Sequence, residues 1–217
     1  MDFEQARYNM VEQQIRPWDV LDKTVLNLLL EERREEYVPA AYRELALADM
    51  EIPLGFGESM LSPKLEAKLL QEAGLRKSDR VLEIGSGSGY MTALLAKGGQ
   101  HVYSVEIVPE LSAMAEKNLK EHHVRNVTLE IGDGARGWDA HGPYDVIVLT
   151  GSVPVLPEEF LKSLHLGGRL FAVVGDKPLM KATLVTRIGK ESWRTLDLFE
   201  TCISPLRNAL TPPKFEF

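Results

Sequence analysis

Three acids stand at the ends of short apolar runs. Glu83 sits in Arg80-Val81-Leu82-Glu83-Ile84-Gly85, Glu106 closes His101-Val102-Tyr103-Ser104-Val105-Glu106, and Asp133 lies between Gly132 and Gly134. After Glu83 come glycines at alternate positions, Gly85, Gly87 and Gly89, with Ser86 and Ser88 between them. Tyr90-Met91-Thr92-Ala93-Leu94-Leu95-Ala96 follows and stops at Gly98-Gly99. The pattern predicts a strand, a glycine turn and a helix. Glycines let the backbone turn sharply and let a ligand approach it, and the helix start offers free N–H groups. The dinucleotide fingerprint is G-x-G-x-x-G. Here the third glycine comes one residue early, and Glu83 would repel a phosphate.

Glu106 lies roughly 20 residues past the glycine turn, where an acid accepts hydrogen bonds from ribose hydroxyls. Asp133 is either an Asp-Gly turn or the acceptor for an adenine amino group, with the backbone N–H of Gly134 on the same ring. Each feature alone has a plain structural reading: a tight turn for the glycines, a solvated charge for each acid. Three acidic strand ends along one sheet edge suit a cationic adenosyl cofactor and suit NADP poorly.

Other chemistry finds no support. The histidines, His101, His122, His123, His141 and His165, lack metal-ligand spacing, and there is no H-E-x-x-H or C-x-x-C. No catalytic metal is expected. G-x-S-x-G is absent. The single cysteine, Cys202, carries no nucleophile signature and is expected to be buried; alone it forms no internal disulfide, which points to a reducing compartment. The chain has 217 residues, 44% hydrophobic and 26% charged, with a net charge of −7. The acidic balance argues against a broad nucleic-acid surface, which needs a basic face. Neither a signal-peptide pattern nor a membrane-span run is present, so a cytoplasmic monomer without membrane attachment is expected.

The elements that must position these residues follow from the pattern. Residues 3–16 read as a helix broken at Arg16-Pro17, and Asp19 is expected to cap a second helix over residues 20–36, with Arg33-Arg34-Glu35-Glu36 as its solvated end. A short helix over 41–47 follows, then the irregular loop Ile52-Pro53-Leu54-Gly55-Phe56-Gly57. Pro63 opens a helix that Gly74 ends. No strand is expected before residue 79, so residues 1–78 read as a helical cap and 79–217 as the cofactor-binding core of the same domain. From Asp79, strands and helices alternate. Strands are expected at 101–106, 126–131, 144–150 and 169–174, helices at 109–122 and 157–164, and a final antiparallel pair at 182–188 and 193–200. The tail from Thr211 to Phe217 reads as irregular. The fold class is α/β, a doubly wound sheet with its ligand crevice at the carboxyl ends of the strands.

E-x-G-x-G-x-G resembles motif I of the Rossmann-like S-adenosylmethionine (AdoMet) methyltransferases, in which the acidic strand end faces the methionyl part of the cofactor. A closer resemblance runs in order from about residue 5 to 200. Tyr37-Val38-Pro39, Ile52 to Gly57, Glu83 to Tyr90, Gly132-Asp133-Gly134, Gly137-Trp138 and Gly167-Gly168-Arg169-Leu170 are similar to segments of the protein-L-isoaspartate O-methyltransferases. The resemblance implies AdoMet as cofactor, held by Glu83, Gly85, Ser86, Gly87, Gly89, Glu106, Ile107, Asp133, Gly134 and Thr150. It implies a protein or peptide substrate whose isoaspartyl α-carboxylate is methylated.

The substrate segment departs from the family. Where the family has Gly-Gln-Thr-Ile-Ser-x-Pro, this chain has Gly57-Glu58-Ser59-Met60-Leu61-Ser62-Pro63. The family serine falls on Leu61, glutamine becomes Glu58, and Ser59 keeps the hydroxyl of the family threonine. Glu58, Ser59 and Ser62 are the candidate substrate contacts, and Ser59 and Leu61 occupy the catalytic positions. Leucine donates no hydrogen bond and an ionised Glu58 repels an anionic acceptor, so weak isoaspartyl turnover is expected. The rival readings are a methyltransferase of the same fold with another acceptor, and a cofactor-binding homologue with little or no transferase activity.

Overall fold

The computed structural model describes residues 1–211. Phe3–Asn9 forms α1, continued by a π-helical turn over Met10–Ile15. Asp19 does not cap the next helix. It has a left-handed backbone (φ 57°) and ends the turn Arg16–Trp18. The cap is Asp22, whose carboxylate accepts from the N–H groups of Thr24 (2.7 Å) and Val25 (3.3 Å), opening α2 (Lys23–Glu31). Gln71 decides this register from outside. Its side-chain oxygen accepts from the N–H groups of Leu21 and Asp22, and its amide donates to the Asp19 carbonyl.

The run Arg33 to Glu36 is not a solvated helix end. Arg34 and Glu35 are buried in a 3-10 turn. Arg34 donates to the carbonyls of Ala46 (2.8 Å) and Leu61 (2.6 Å) and pairs with Glu66; Arg7 pairs with Glu35. Buried charges persist only when paired and hydrogen-bonded, and charge identity alone does not reveal such pairing. The expected helix over 41–47 is a 3-10 segment, Ala40–Leu45.

The cap also contains strands, contrary to expectation. β1 (Ile52–Gly55) and β2 (Glu58–Met60) form an antiparallel hairpin. Phe56 (φ 56°) and Gly57 (φ 82°) both take positive φ at its tip, the geometry a two-residue hairpin turn requires. Pro53 and the glycines, which read as an irregular loop, sit on a two-stranded edge where proline is tolerated. α3 (Pro63–Ala73) ends on Gly74 in the left-handed conformation, as expected.

Next come β3 (Arg80–Ile84), α4 (Tyr90–Gly98), β4 (His101–Glu106), α5 (Pro109–Glu121), β5 (Val127–Ile131), β6 (Tyr144–Leu149), α6 (Glu158–Lys162), β7 (Leu164–Asp176), β8 (Leu179–Gly189) and β9 (Ser192–Glu200). The sheet order is β5-β4-β3-β6-β7-β8-β9. β3 to β7 run parallel, and β8 and β9 add antiparallel strands beyond them. The chain steps outward from β3 through β4 to β5, then returns to β6 on the other side of β3. That reversal is where open α/β sheets bind ligands. Alternate residues of the central strands feed two cores. Val81, Val102, Val146 and Val148 pack with α3, α4 and the N-terminal elements. Leu82, Ile84, Ile147 and Leu149 pack with Phe160 of α6 on the other face.

Two boundaries differ from expectation. α6 stops at Lys162, and Gly167-Gly168 belong to β7, where the backbone of Gly168 passes so close to Tyr144 that an added Cβ would lie 3.0 Å from its carbonyl oxygen. Cys202 is exposed rather than buried. The expected irregular tail lies, beyond Thr211, outside the described residues. Among the described residues no helix is long and apolar enough to cross a membrane.

Candidate active site

β3 delivers the chain to a tight turn. Gly85 has φ +98°, and a Cβ there would lie 2.2 Å from the Thr150 hydroxyl oxygen. Only glycine fits that conformation and that contact. Thr150, just past β6, accounts for the closeness. Its hydroxyl lies 2.9 Å from the carbonyls of both Ile84 and Gly85, and its N–H donates to the Ile84 carbonyl. Gly85 N–H in turn donates to the Val105 carbonyl (2.8 Å). The loop is thereby fastened to the strands on both sides of β3.

Glu106 holds the loop's next residue. Its Oε2 accepts from the Gly87 N–H (2.9 Å) and its Oε1 from the Val108 N–H (3.0 Å). Only 5% exposed, the carboxylate still lines the cleft. A carboxylate oxygen accepts more than one hydrogen bond, so both oxygens retain capacity for a diol. Asp133 also lines the cleft; its Oδ1 accepts from the Ala135 N–H (3.1 Å), an Asx turn, and its Oδ2 from the Asn208 amide (2.9 Å). Ser86, Ile107, Gly134 and Thr150 complete the expected residues that face this cleft.

Glu83 does not line it. Strand alternation puts its side chain on the α4 face with Val81, fully buried. Its Oε2 accepts from the hydroxyls of Thr92 (2.5 Å) and Ser104 (2.6 Å), while its Oε1 has no partner among the described residues. Ser104 gives its single proton to Glu83, so Ser86 donates to Ser104 (2.6 Å). Glu83 thus reaches the cleft through two serines rather than directly. Burial pushes its pKa up to about 8, against the lowering pull of the two hydroxyls and with a further rise from Glu106 and Glu66. Gly89 is likewise outside the cleft, capping α4 where its backbone packs on Ala115. Ser62 belongs to a separate depression beside Trp18 and Lys64.

At the opposite wall are Glu58, Ser59 and Leu61. Ser59 is exposed on β2. Leu61 is buried in the larger core, and its carbonyl is fixed by Arg34. Glu58 is not a lone charge. Arg207 Nε donates to its Oε1 (2.6 Å), and Arg207 Nη2 donates to the Phe56 carbonyl. Neither Arg207 nor Asn208 was marked by any sequence signal; both come from the segment after β9. That segment is laced to the sheet by Ser152 N–H to the Ser204 carbonyl (2.9 Å) and Leu206 N–H to the Ser152 carbonyl (2.8 Å). Glu66, also unmarked, lines the cleft floor. Burial raises its pKa to about 7 even with Arg34 beside it.

The cleft is open to solvent, and the empty space between its walls, solvent at the mouth included, is about 920 Å³. Its lining includes the carboxyls of Glu51, Glu58, Glu66, Glu106 and Asp133 and one cation, Arg207. A glycine turn without room for a side chain, a two-oxygen acceptor at the end of β4 and an acidic wall fit a cationic nucleoside cofactor. A phosphate-rich one would face repulsion. Among the described residues no group of three or more His, Cys, Asp or Glu is arranged to hold a metal ion.

Comparison with known proteins adds a family. Residues 5–208 match the family model described as protein-L-isoaspartate(D-aspartate) O-methyltransferase. A Staphylothermus marinus protein-L-isoaspartate O-methyltransferase is 36% identical over 213 residues, covering 94% of this chain and 95% of the relative. One from Gloeobacter violaceus is 38% identical over 179 residues, covering 82% and 87%. A solved protein-L-isoaspartate O-methyltransferase superposes with a TM-score of 0.79 at 27% identity, over 93% of this chain and 65% of that one. A Plasmodium falciparum structure of the same description, in complex with S-adenosyl-L-homocysteine, has a TM-score of 0.79 at 21% identity, covering 95% and 99%, and shows the shared fold.

Proposed function

The chain belongs to the protein-L-isoaspartate(D-aspartate) O-methyltransferase family, and from that premise we propose how its residues serve the activity. It is an AdoMet-dependent O-methyltransferase acting on the isoaspartyl carboxylate of proteins or peptides. The observation that carries the reading is the cleft at the β3–β6 reversal, where the glycine turn and Glu106 meet the hairpin that bears Ser59. The chemistry AdoMet supplies when bound is an electrophilic methyl group on a sulfonium.

Glu106 accepts the ribose hydroxyls while its own two backbone donors hold it rigid. Asp133 and the Gly134 N–H take the adenine end. Ser86, Gly87 and Thr150 shape the turn, and Gly85 and Gly89 give it its conformation. Glu83 acts on the cofactor end through Ser104 and Ser86. Ser59 offers the acceptor a hydroxyl, with Leu61 as an apolar wall beside it. No base is needed: a carboxylate with a reference pKa of about 4 is already ionised at neutral pH. The protein's part is to position the acceptor, exclude water and tune the field.

The helical cap, residues 1–78, is read as one domain with residues 79–217; the core that Met10, Ile52 and Leu61 share with Val81 and Val148 supports this. A cytoplasmic monomer completes the reading, and the −7 net charge supports its leaving nucleic acid alone. The test is methyl transfer from AdoMet to an isoaspartyl peptide beside its aspartyl twin, with AdoMet binding measured by calorimetry. Transfer to the isoaspartyl peptide alone is expected. Binding without transfer to it would overturn the activity and leave the cofactor reading standing.

A further inference from the structure

An anion entering this cleft meets five carboxyls and one cation. Glu66 is paired with Arg34 below the surface, and Glu106 and Asp133 are turned to backbone and amide donors. At the hairpin wall the charges are Glu58 and Arg207, with Glu51 at the residue before β1. We propose that Arg207 binds the acceptor carboxylate and that Glu58 is its positioning residue, an assignment that rests on the isoaspartyl reading above.

The geometry divides the guanidinium in two. Nε is occupied by Glu58 and Nη2 reaches the Phe56 carbonyl, both on the hairpin. Nη1 has no partner among the described residues, and the side chain is 43% exposed. Arginine presents its donors in a rigid planar fork, so fixing one edge aims the other. The backbone beneath it is equally fixed, laced to Ser152 on one side and joined to Asp133 through Asn208 on the other. An arginine held this way binds a carboxylate with little further loss of side-chain freedom.

Charge supplies the second half. Without Arg207 the wall would carry an uncompensated Glu58 where a negatively charged acceptor docks. Arg207 cancels that charge and adds donors, which removes the repulsion expected from Glu58 and answers the missing hydroxyl at Leu61. Specificity follows as well: a neutral acceptor gains nothing from the fork, so the wall favours a carboxylate.

The test is a double-mutant cycle read in two ways: steady-state methylation of an isoaspartyl peptide, and calorimetric binding of that peptide to the S-adenosylhomocysteine complex. R207A is expected to raise KM and peptide Kd by about tenfold to a hundredfold, the range for a lost hydrogen bond to a charged group. Its S-adenosylhomocysteine affinity is expected to stay within about twofold of the natural protein's, since no other contact of the cofactor end is removed. R207K, which keeps charge without the fork, falls between. E58A combined with R207A is expected to bind peptide better than R207A alone, and E58Q by itself to weaken it. The proposal is overturned if R207A leaves peptide KM and Kd unchanged, or if E58Q tightens binding. A natural protein that neither binds nor methylates isoaspartyl peptide would instead remove the activity beneath it.

Discussion

Replacing Glu106 by alanine tests the cofactor site at its most connected residue. The carboxylate is 5% exposed and accepts from Gly87 at 2.9 Å and Val108 at 3.0 Å. Two losses are therefore expected, and they are separable. The Val108 N–H lies at the buried start of α5; left without an acceptor it costs about 1–3 kcal/mol of stability. The Gly87 N–H faces the cleft, where water replaces the lost oxygen at small cost. Binding loses the ribose contacts, charge-assisted bonds worth about 1.5–3 kcal/mol, which corresponds to roughly tenfold to over a hundredfold in affinity. Calorimetry with S-adenosylhomocysteine gives the second number and urea unfolding gives the first. Glu106→Gln keeps one acceptor oxygen and should recover part of each. If the dissociation constant stays the same while stability falls, Glu106 only braces the loop and the assignment of the ribose to it is wrong.

Gly85→Ala should lower the urea midpoint far more than Gly57→Ala and abolish cofactor binding. Both positions have positive φ, but the added Cβ lies 2.2 Å from Thr150 Oγ1 at Gly85 and meets nothing within 4 Å at Gly57. Glu83 is an acid whose pKa the fold raises from 4.5 to about 8. Between those values the unfolded chain has released a proton that the folded chain keeps, so stability falls as pH rises through the window and levels off above it; unfolding free energies from pH 4 to 9 should show this slope, reduced in Glu83→Gln. Leu61→Ser empties part of the core and should cost about 2–4 kcal/mol, in the range of buried leucine truncations, without raising turnover of an isoaspartyl peptide; a faster enzyme would restore the view that Leu61 replaces a needed hydroxyl.

The sheet was legible because its signals are local. Val81 to Ile84, Val102 to Val105 and Val146 to Leu149 are apolar runs with glycine or proline near their ends, and the register that joins Glu83 to Ser104 follows from their parallel alignment. The glycine turn was legible for the same reason. What the pattern did not carry was how far along the sheet each acid stands. Glu83 and Glu106 looked alike as acids closing strands, yet Glu83 lies one residue inside its strand and points under α4. Glu106 is the last residue of β4, and its carboxylate lines the cleft. With Glu83 opposite Ser104, Glu106 stands two positions further along the same face of the sheet, and that step separates a fully enclosed side chain from one that lines the cleft.

The substrate wall was harder to read because its meaning depends on partners far away in the chain. Glu58 in isolation is a negative charge in an acceptor site. With Arg207, 149 residues later, it becomes half of a pair that presents a cation. Arg34 likewise reads as a solvated helix end in isolation, but in the fold each of its three nitrogens donates, to Ala46, Glu66 and Leu61. In each case a charge is answered by a residue on another element, so the departure at Glu58 does not by itself argue for lost activity. A charge in a motif gives the sign of one term in a field; which sign the acceptor meets depends on the pairing that the fold completes.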